Sequence, residues 1–346
     1  MSRMIDEIRQ QPEALERTLA GAVRRVEAFR RLLAGRKPSL VVLVARGTSD
    51  NAALFGRYLI EISTGIPVSL AAPSISTLYE ARLDYRNSLV VGLSQSGEST
   101  DTNLVLERAR AQGALTLGIT NERSSTLAQL AEHVLLVRAG REKSVAATKT
   151  YTGQLLLLYL LAYALGGGVH LRDLERIPEA VDAALRLAPE IDALCERYRF
   201  MRHAVVVGRG LNYANAFEFA LKLMETCYVV AERFSSADFL HGPIALVEPS
   251  FPVFVFAPPD RTWPSIRATL EKLQHLRAEI VAITDSGNRE APDRATRVIR
   301  LPRRLKETLT PIPYIVPAQL FAGYLAAQKG LDPDKPRTLH KVTLTL

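Results

Sequence analysis

Short runs of Leu, Val and Ile recur along the chain, each followed by a longer stretch whose apolar positions return every three or four residues. Over the first half this pattern predicts strands near 40–45, 67–71, 88–93, 115–119 and 133–137, with helices over 50–63, 100–112 and 149–165. Strands apolar on both faces and separated by helices need crossover connections, and therefore a parallel sheet covered by helices on each side. Residues 171–199 keep the helical spacing, with Pro178 and Pro189 marking restarts.

The pattern occurs twice. Leu40-Val41-Val42-Leu43-Val44 runs into Arg46-Gly47, and Ala204-Val205-Val206-Val207 runs into Gly208-Arg209-Gly210. Glu61 pairs in this way with Glu225, Ile119-Thr120-Asn121 with Ile283-Thr284-Asp285, and Gln154-Leu155 and Tyr159-Leu160 with Gln319-Leu320 and Tyr324-Leu325. Correspondences in one order at one offset of about 164 residues indicate a duplicated unit. The expected architecture is α/β: two tandem doubly wound parallel sheets, flavodoxin-like three-layer domains at 35–168 and 200–330. An N-terminal helical segment (1–34), a helical linker (169–199) and a C-terminal tail (331–346) complete it.

Composition narrows the function classes. At 47% apolar and 23% charged, the 346 residues read as a globular protein with a sizeable core. The longest apolar run, from Leu155 to Leu165, is shorter than the roughly 20 residues of a membrane span, and the N-terminus lacks a signal-peptide core, so a cytoplasmic location is expected. The net charge of +8 comes with scattered pairs such as Arg24-Arg25 and Arg303-Arg304 rather than a basic block interleaved with aromatics; it suits a small anion better than nucleic acid. Cys195 and Cys227 read as buried thiols, and no spacing points to a metal, a nucleotide or pyridoxal phosphate, so no cofactor is expected.

The chemistry-bearing stretch of the first copy is Ser94-Gln95-Ser96-Gly97-Glu98-Ser99, directly after the strand at 88–93. In a doubly wound sheet ligands sit beyond the carboxyl ends of the strands, where strand order reverses. A helix starting near Ser99 leaves backbone N–H groups facing that crevice, Gly97 permits close backbone approach, and Ser94, Gln95, Ser96 and Ser99 add neutral donors; together they form a phosphate cradle. Ser99 taken alone reads as a helix N-cap; the cradle rests on the whole cluster. In the second copy the corresponding turn reads Pro258-Pro259-Asp260-Arg261, so packing does not demand the hydroxyls. Thr48-Ser49, after the first strand, faces the same crevice or serves as a capping pair.

The stretches RGTSDNA (46–52), LSQSGES (93–99), AATKTYTGQ (146–154), ALKLMET (220–226), SSADFLHGPIALVE (235–248) and the tail DPDKPRTLHKVTLTL (332–346) resemble the sugar isomerase (SIS) domain proteins. The resemblance is to the two-SIS-domain isomerase half of glucosamine-6-phosphate synthase and its deaminase relatives. Arg46 where synthases typically read Cys, Val145-Ala146-Ala147-Thr148-Lys149 where they read VASTK, and Met224 where Lys is common all look like the SIS-type glucosamine-6-phosphate deaminases. The synthases' amidotransferase domain, with its leading cysteine, has no counterpart in these residues, which points the same way.

The resemblance implies isomerising deamination of glucosamine 6-phosphate to fructose 6-phosphate and ammonia. It places Glu225 as the C1/C2 proton shuttle, His241 in ring opening and Lys341 as a Schiff-base amine in a tail that closes the site. Val145 joins the substrate contacts, and a homodimer in which His241 serves the neighbouring subunit is implied. Read without the family, Glu225 could be a surface carboxylate paired with Lys222, His241 a solvated loop residue, and Lys341 an exposed terminal lysine. The alternatives are a related enzyme acting on galactosamine 6-phosphate or a fructosamine 6-phosphate, an ammonia-dependent synthase isomerase, or a phosphosugar sensor without turnover.

Overall fold

The computed structural model describes residues 2–339. The chain divides into two compact units, one built from Gln10–Glu142 and Ala147–Arg176, the other from the stretch ending at Arg9, Lys143–Ala146 and Ile177–Thr338. The N-terminal helical stretch is itself divided between them: α1 (Arg3–Arg9) belongs to the second unit and α2 (Gln11–Gly35) to the first.

In the first unit, β1 (Leu40–Val44), β2 (Val68–Leu70), β3 (Ser88–Leu93), β4 (Leu115–Thr120) and β5 (His133–Leu136) form an all-parallel sheet in the order β2-β1-β3-β4-β5. The crossovers run through α3 (Thr48–Thr64), α4 (Ser74–Thr77), α5 (Thr100–Ala111) and α6 (Thr126–Leu130); α7 (Lys149–Ala164) and the short α8 (Leu171–Leu174) follow. Every residue of β3 and β4 is buried, as a strand covered on both faces must be. The strand order reverses between β1 and β3, paired from Leu40–Ser88 to Val44–Gly92, so the switch point lies where the loops leaving these two strands begin.

The second unit repeats this plan. After α9 (Ile177–Leu185) and α10 (Ala188–Cys195) come β6 (His203–Gly208), β7 (Val230–Ser235), β8 (Pro252–Phe256), β9 (Glu279–Asp285) and β10 (Arg297–Leu301), ordered β7-β6-β8-β9-β10 and parallel throughout. Its main helices are α11 (Tyr213–Cys227), α12 (Ser236–Leu240), α13 (Trp263–His275) and α14 (Pro311–Gln328). The two sheets have one topology, as the offset of the repeat requires.

Two helices are buried on nearly every side. α7 and α14 carry the duplicated Gln-Leu…Tyr-Leu pattern; α7 packs on α2 and α3, and α14 on α11, α10 and α9. Burial on all faces explains their unbroken apolar character, and among the described residues no helix is long and apolar enough to cross a membrane. Cys195 and Cys227 lie buried against α14, their thiols directed at the carbonyls of Phe321 and Ala322. Burial pushes the Cys227 thiol up to about 12 and Cys195 further still, which keeps both inert. The tail is ordered as far as it is described: the Asp334 carboxylate accepts the N–H groups of Arg3 and Met4 at 2.7 and 2.9 Å, and Arg337 lies over the Tyr228 ring.

Candidate active site

Two constellations carry chemistry, one in each unit. In the first, the loops leaving β1 and β3 flank the switch point. Thr48 and Ser49 are the first residues of α3, behind Gly47, whose φ of 56° only glycine adopts easily. They are therefore not capping residues. Ser49 is buried and its Oγ accepts a hydrogen bond from Gln154 Nε2 on α7 at 2.9 Å, while Thr48 is half-buried.

The 94–99 turn is built around Gly97, with φ of 70°; a Cβ there would collide with Ser125 Oγ. Its N–H donates to Ser94 Oγ at 3.0 Å, and its carbonyl accepts from Asn103 Nδ2 and from the Leu127 N–H. The Gln95 carbonyl accepts from Thr120 Oγ1 and the Asn121 N–H. Ser94 is thus buried scaffold, and the half-buried Gln95, Ser96 and Ser99 side chains are the ones offered outward. Ser99 occupies the N-cap position of α5 without a side-chain cap; its Oγ instead accepts from Thr102 Oγ1 at 3.1 Å. The first N–H groups of α5 have no partner within the helix, and its positive end points out of the turn. Glu98, the one carboxylate in the turn, is bound to the Thr126 N–H and Oγ1 at the start of α6. What remains is a rigid turn with neutral donors at a helix N-terminus, the chemistry that holds a phosphate.

The equivalent turn after β8 is different. There Asp260 accepts the Thr262 N–H and hydroxyl, Arg261 pairs with Glu307, and desolvation raises the Asp260 carboxyl above its ordinary value, against the hydrogen bonds from Thr262. Each turn carries one carboxylate, Asp260 beside Arg261 after β8 and Glu98 tied to α6 after β3; the hydroxyl cluster is what the turn after β3 alone has.

The loop into α7 is held by two carboxylates. Buried Glu142 accepts the N–H groups of Thr148 and Thr150 and the Thr150 hydroxyl, at 2.9, 3.2 and 2.7 Å. Glu7 of α1 accepts the N–H groups of Lys143 and Ser144. Val145, half-buried, sits in this Lys143–Ala146 stretch.

In the second constellation Glu225 stands near the end of α11. Its setting is charged: Oε2 lies 2.6 Å from Lys222 Nζ, and Lys222 is fully buried, with Glu218 Oε1 at 3.3 Å on its other side. Burial by itself depresses the Lys222 ammonium, but attraction to Glu218 and Glu225 outweighs it and leaves the lysine above its ordinary value. The pairing with Lys222 exists, yet not as a surface pair. Glu218 and Lys222 have 0% side-chain exposure and Glu225 has 22%, so the row of charges rises from the core to one accessible carboxylate.

Sequence reasoning paired Glu225 with Lys222 only as a surface contact, and missed Glu218 and the burial of the lysine. The signal was the spacing of 218, 222 and 225, which places all three on one helix face. His241 ends α12, its N–H donating to the Asp238 carbonyl, and is exposed beside Gly242. Lys341 lies outside the described residues. Among the described residues no cluster of three or more His, Cys, Asp and Glu is arranged to hold a metal.

Comparison with known proteins places these observations in a family. The SIS domain family matches residues 36–164 and again 199–329. The glutamine–fructose-6-phosphate aminotransferase (isomerizing) of Pyrococcus horikoshii is 37% identical over 98% of this chain, and that of Aquifex aeolicus 34% over 98%. In each case the chain spans only 57% of the relative's length. Among solved structures, the C-terminal domain of glucosamine-fructose-6-phosphate aminotransferase from Francisella tularensis superposes with a TM-score of 0.88 at 29% identity, covering 97% of this chain and 98% of that one.

Proposed function

The chain belongs to the SIS domain family, and on that premise we propose that it interconverts an aldose and a ketose at a phosphorylated amino sugar, working as a glucosamine-6-phosphate deaminase. The observation that carries the reading is Glu225: a partly exposed carboxylate with one oxygen fixed on a buried ammonium. Lys222 holds Oε2 and so orients Oε1 as the oxygen left to exchange a proton.

The chemistry then needs few groups. The Ser94–Ser99 turn takes the phosphate through Gln95, Ser96, Ser99 and the first N–H groups of α5, with Thr48 contributing from the β1 loop. His241 serves ring opening. In the open-chain aldose, Glu225 takes the proton from C2 and returns it to C1, converting the 2-amino aldehyde into a 1-hydroxy 2-imine. Water adds to the imine carbon, the C2–N bond breaks, and ammonia leaves with fructose 6-phosphate as the other product. A homodimer with His241 serving the neighbouring subunit, and closure by the tail that carries Lys341, complete the reading.

A second direction is favoured by the relatives, which are named as aminotransferases: the same residues would run from fructose 6-phosphate and ammonia toward glucosamine 6-phosphate. One experiment separates the two. The protein is supplied with glucosamine 6-phosphate, galactosamine 6-phosphate or a fructosamine 6-phosphate, and separately with fructose 6-phosphate plus ammonium, and ammonia and hexosamine are followed. Release of ammonia from glucosamine 6-phosphate that is abolished in Glu225→Gln supports the deaminase. No exchange in either direction by folded protein overturns both readings.

A further inference from the structure

The outward-facing donors of the phosphate turn are neutral, yet a charged pair stands between its two loops. Arg46 lies two residues past the end of β1, and its Nε and Nη2 both reach Asp101 Oδ2, at 3.0 and 2.6 Å. Asp101 is the second residue of α5, with 1% side-chain exposure, whereas the Arg46 side chain is 48% exposed. The pair therefore ties the loop of Thr48 and Ser49 to the helix that opens at Ser99, across the switch point between β1 and β3.

We propose that Arg46 is a positioning and specificity residue of this site, fixing the spacing of its two loops and setting a guanidinium against the anionic end of the substrate. The inference rests on the reading of the Ser94–Ser99 turn as a phosphate site.

Electrostatics argues for the role. An anion seated at the N-terminus of α5 has the buried Asp101 carboxylate as a neighbour, and an uncompensated buried carboxylate would repel it. Arg46 supplies the compensation while keeping Nη1 without a hydrogen bond among the described residues. The charge of Arg46 also acts on the Asp50 carboxyl in the first turn of α3, opposing the rise that desolvation causes there. One guanidinium thus answers two carboxylates and still presents a fork suited to phosphate.

The test is calorimetric titration of the intact chain with fructose 6-phosphate and with inorganic phosphate, together with steady-state kinetics, for Arg46→Met, Arg46→Lys and the double variant Arg46→Met/Asp101→Asn. The double variant removes the buried charge that Arg46→Met alone would strand, and so keeps the fold. Arg46→Met and the double variant are expected to bind both ligands about tenfold or more weakly, with a flatter salt dependence. KM should rise while kcat changes little, and Arg46→Lys, which keeps the charge but not the fork, should restore only part of the loss. Wild-type affinity in the double variant, or a fall in kcat at constant KM, overturns the inference. Ser96→Ala separates the two levels of the argument. If it weakens binding while the Arg46 variants do not, the turn stands and this inference fails; if wild-type protein binds no hexose phosphate, both fail.

Discussion

Lys222 shows how one residue decides what its neighbours can do. A fully buried ammonium between Glu218 and Glu225 is stable only because both carboxylates answer it. Replacing Lys222 with Met strands the Glu218 carboxylate in the core, and the expected loss is about 3–5 kcal/mol, read as a lower urea midpoint. Glu218→Gln/Lys222→Met, which removes both buried charges, should recover much of that stability without recovering turnover, because Glu225 then lacks the cation that orients it. A double variant as active as the wild type would show that Lys222 has no part beyond stability. At this scale the sequence showed which carboxylate to examine. It did not show that Lys222 points inward, since a lysine three residues before a glutamate reads the same on an exposed helix.

Single elements are set by their ends. The turn after β3 depends on Gly97, where positive φ and the nearby Ser125 side chain both exclude a Cβ. Gly97→Ala should cost on the order of 1–3 kcal/mol and weaken hexose-phosphate binding, checked by thermal melting and titration with fructose 6-phosphate. At the start of β9, Glu279 accepts from Arg197 Nε and Nη2 and from the Tyr198 hydroxyl, which fastens the segment before β6 to the second sheet. The hydrogen bond from Arg197 holds the Glu279 carboxyl below its ordinary 4.5, against desolvation. A depressed carboxylate stabilises the fold fully above its unfolded value and loses that contribution as pH falls through its folded one. The stability gap between wild type and Glu279→Gln should therefore be full at pH 7 and shrink below about pH 4.5, as urea titrations at several pH values would show. Elements with strong periodicity were legible: β3 and the bodies of α5 and α7 fall within a residue of expectation. β2 is shorter than its apolar run suggests, Val68–Leu70 against 67–71, although Pro67 and Ala71 still bond to β1 through the Val41 N–H and the Leu43 carbonyl.

The duplication governs the whole molecule. Two sheets of one topology are kept, while their loops diverge into a hydroxyl-rich turn after β3 and a Pro-Pro-Asp-Arg turn after β8. If His241 serves a neighbouring subunit, mixing Glu225→Gln and His241→Asn chains, each inactive alone, should restore about a quarter of wild-type activity through random mixed dimers. No recovery, in a mixture shown by mass spectrometry to contain mixed dimers, would place the histidine in its own subunit's site. By itself the sequence determined the repeat, the parallel α/β architecture and the turn after β3, because hydrophobic period and local turn chemistry are properties of neighbouring residues. Only the tertiary structure decided which hydroxyls face outward, that Arg46 meets Asp101 and that a lysine lies buried beneath Glu225. Those facts depend on which side chains distant in the chain are brought together, and on which of them lose their water when they meet.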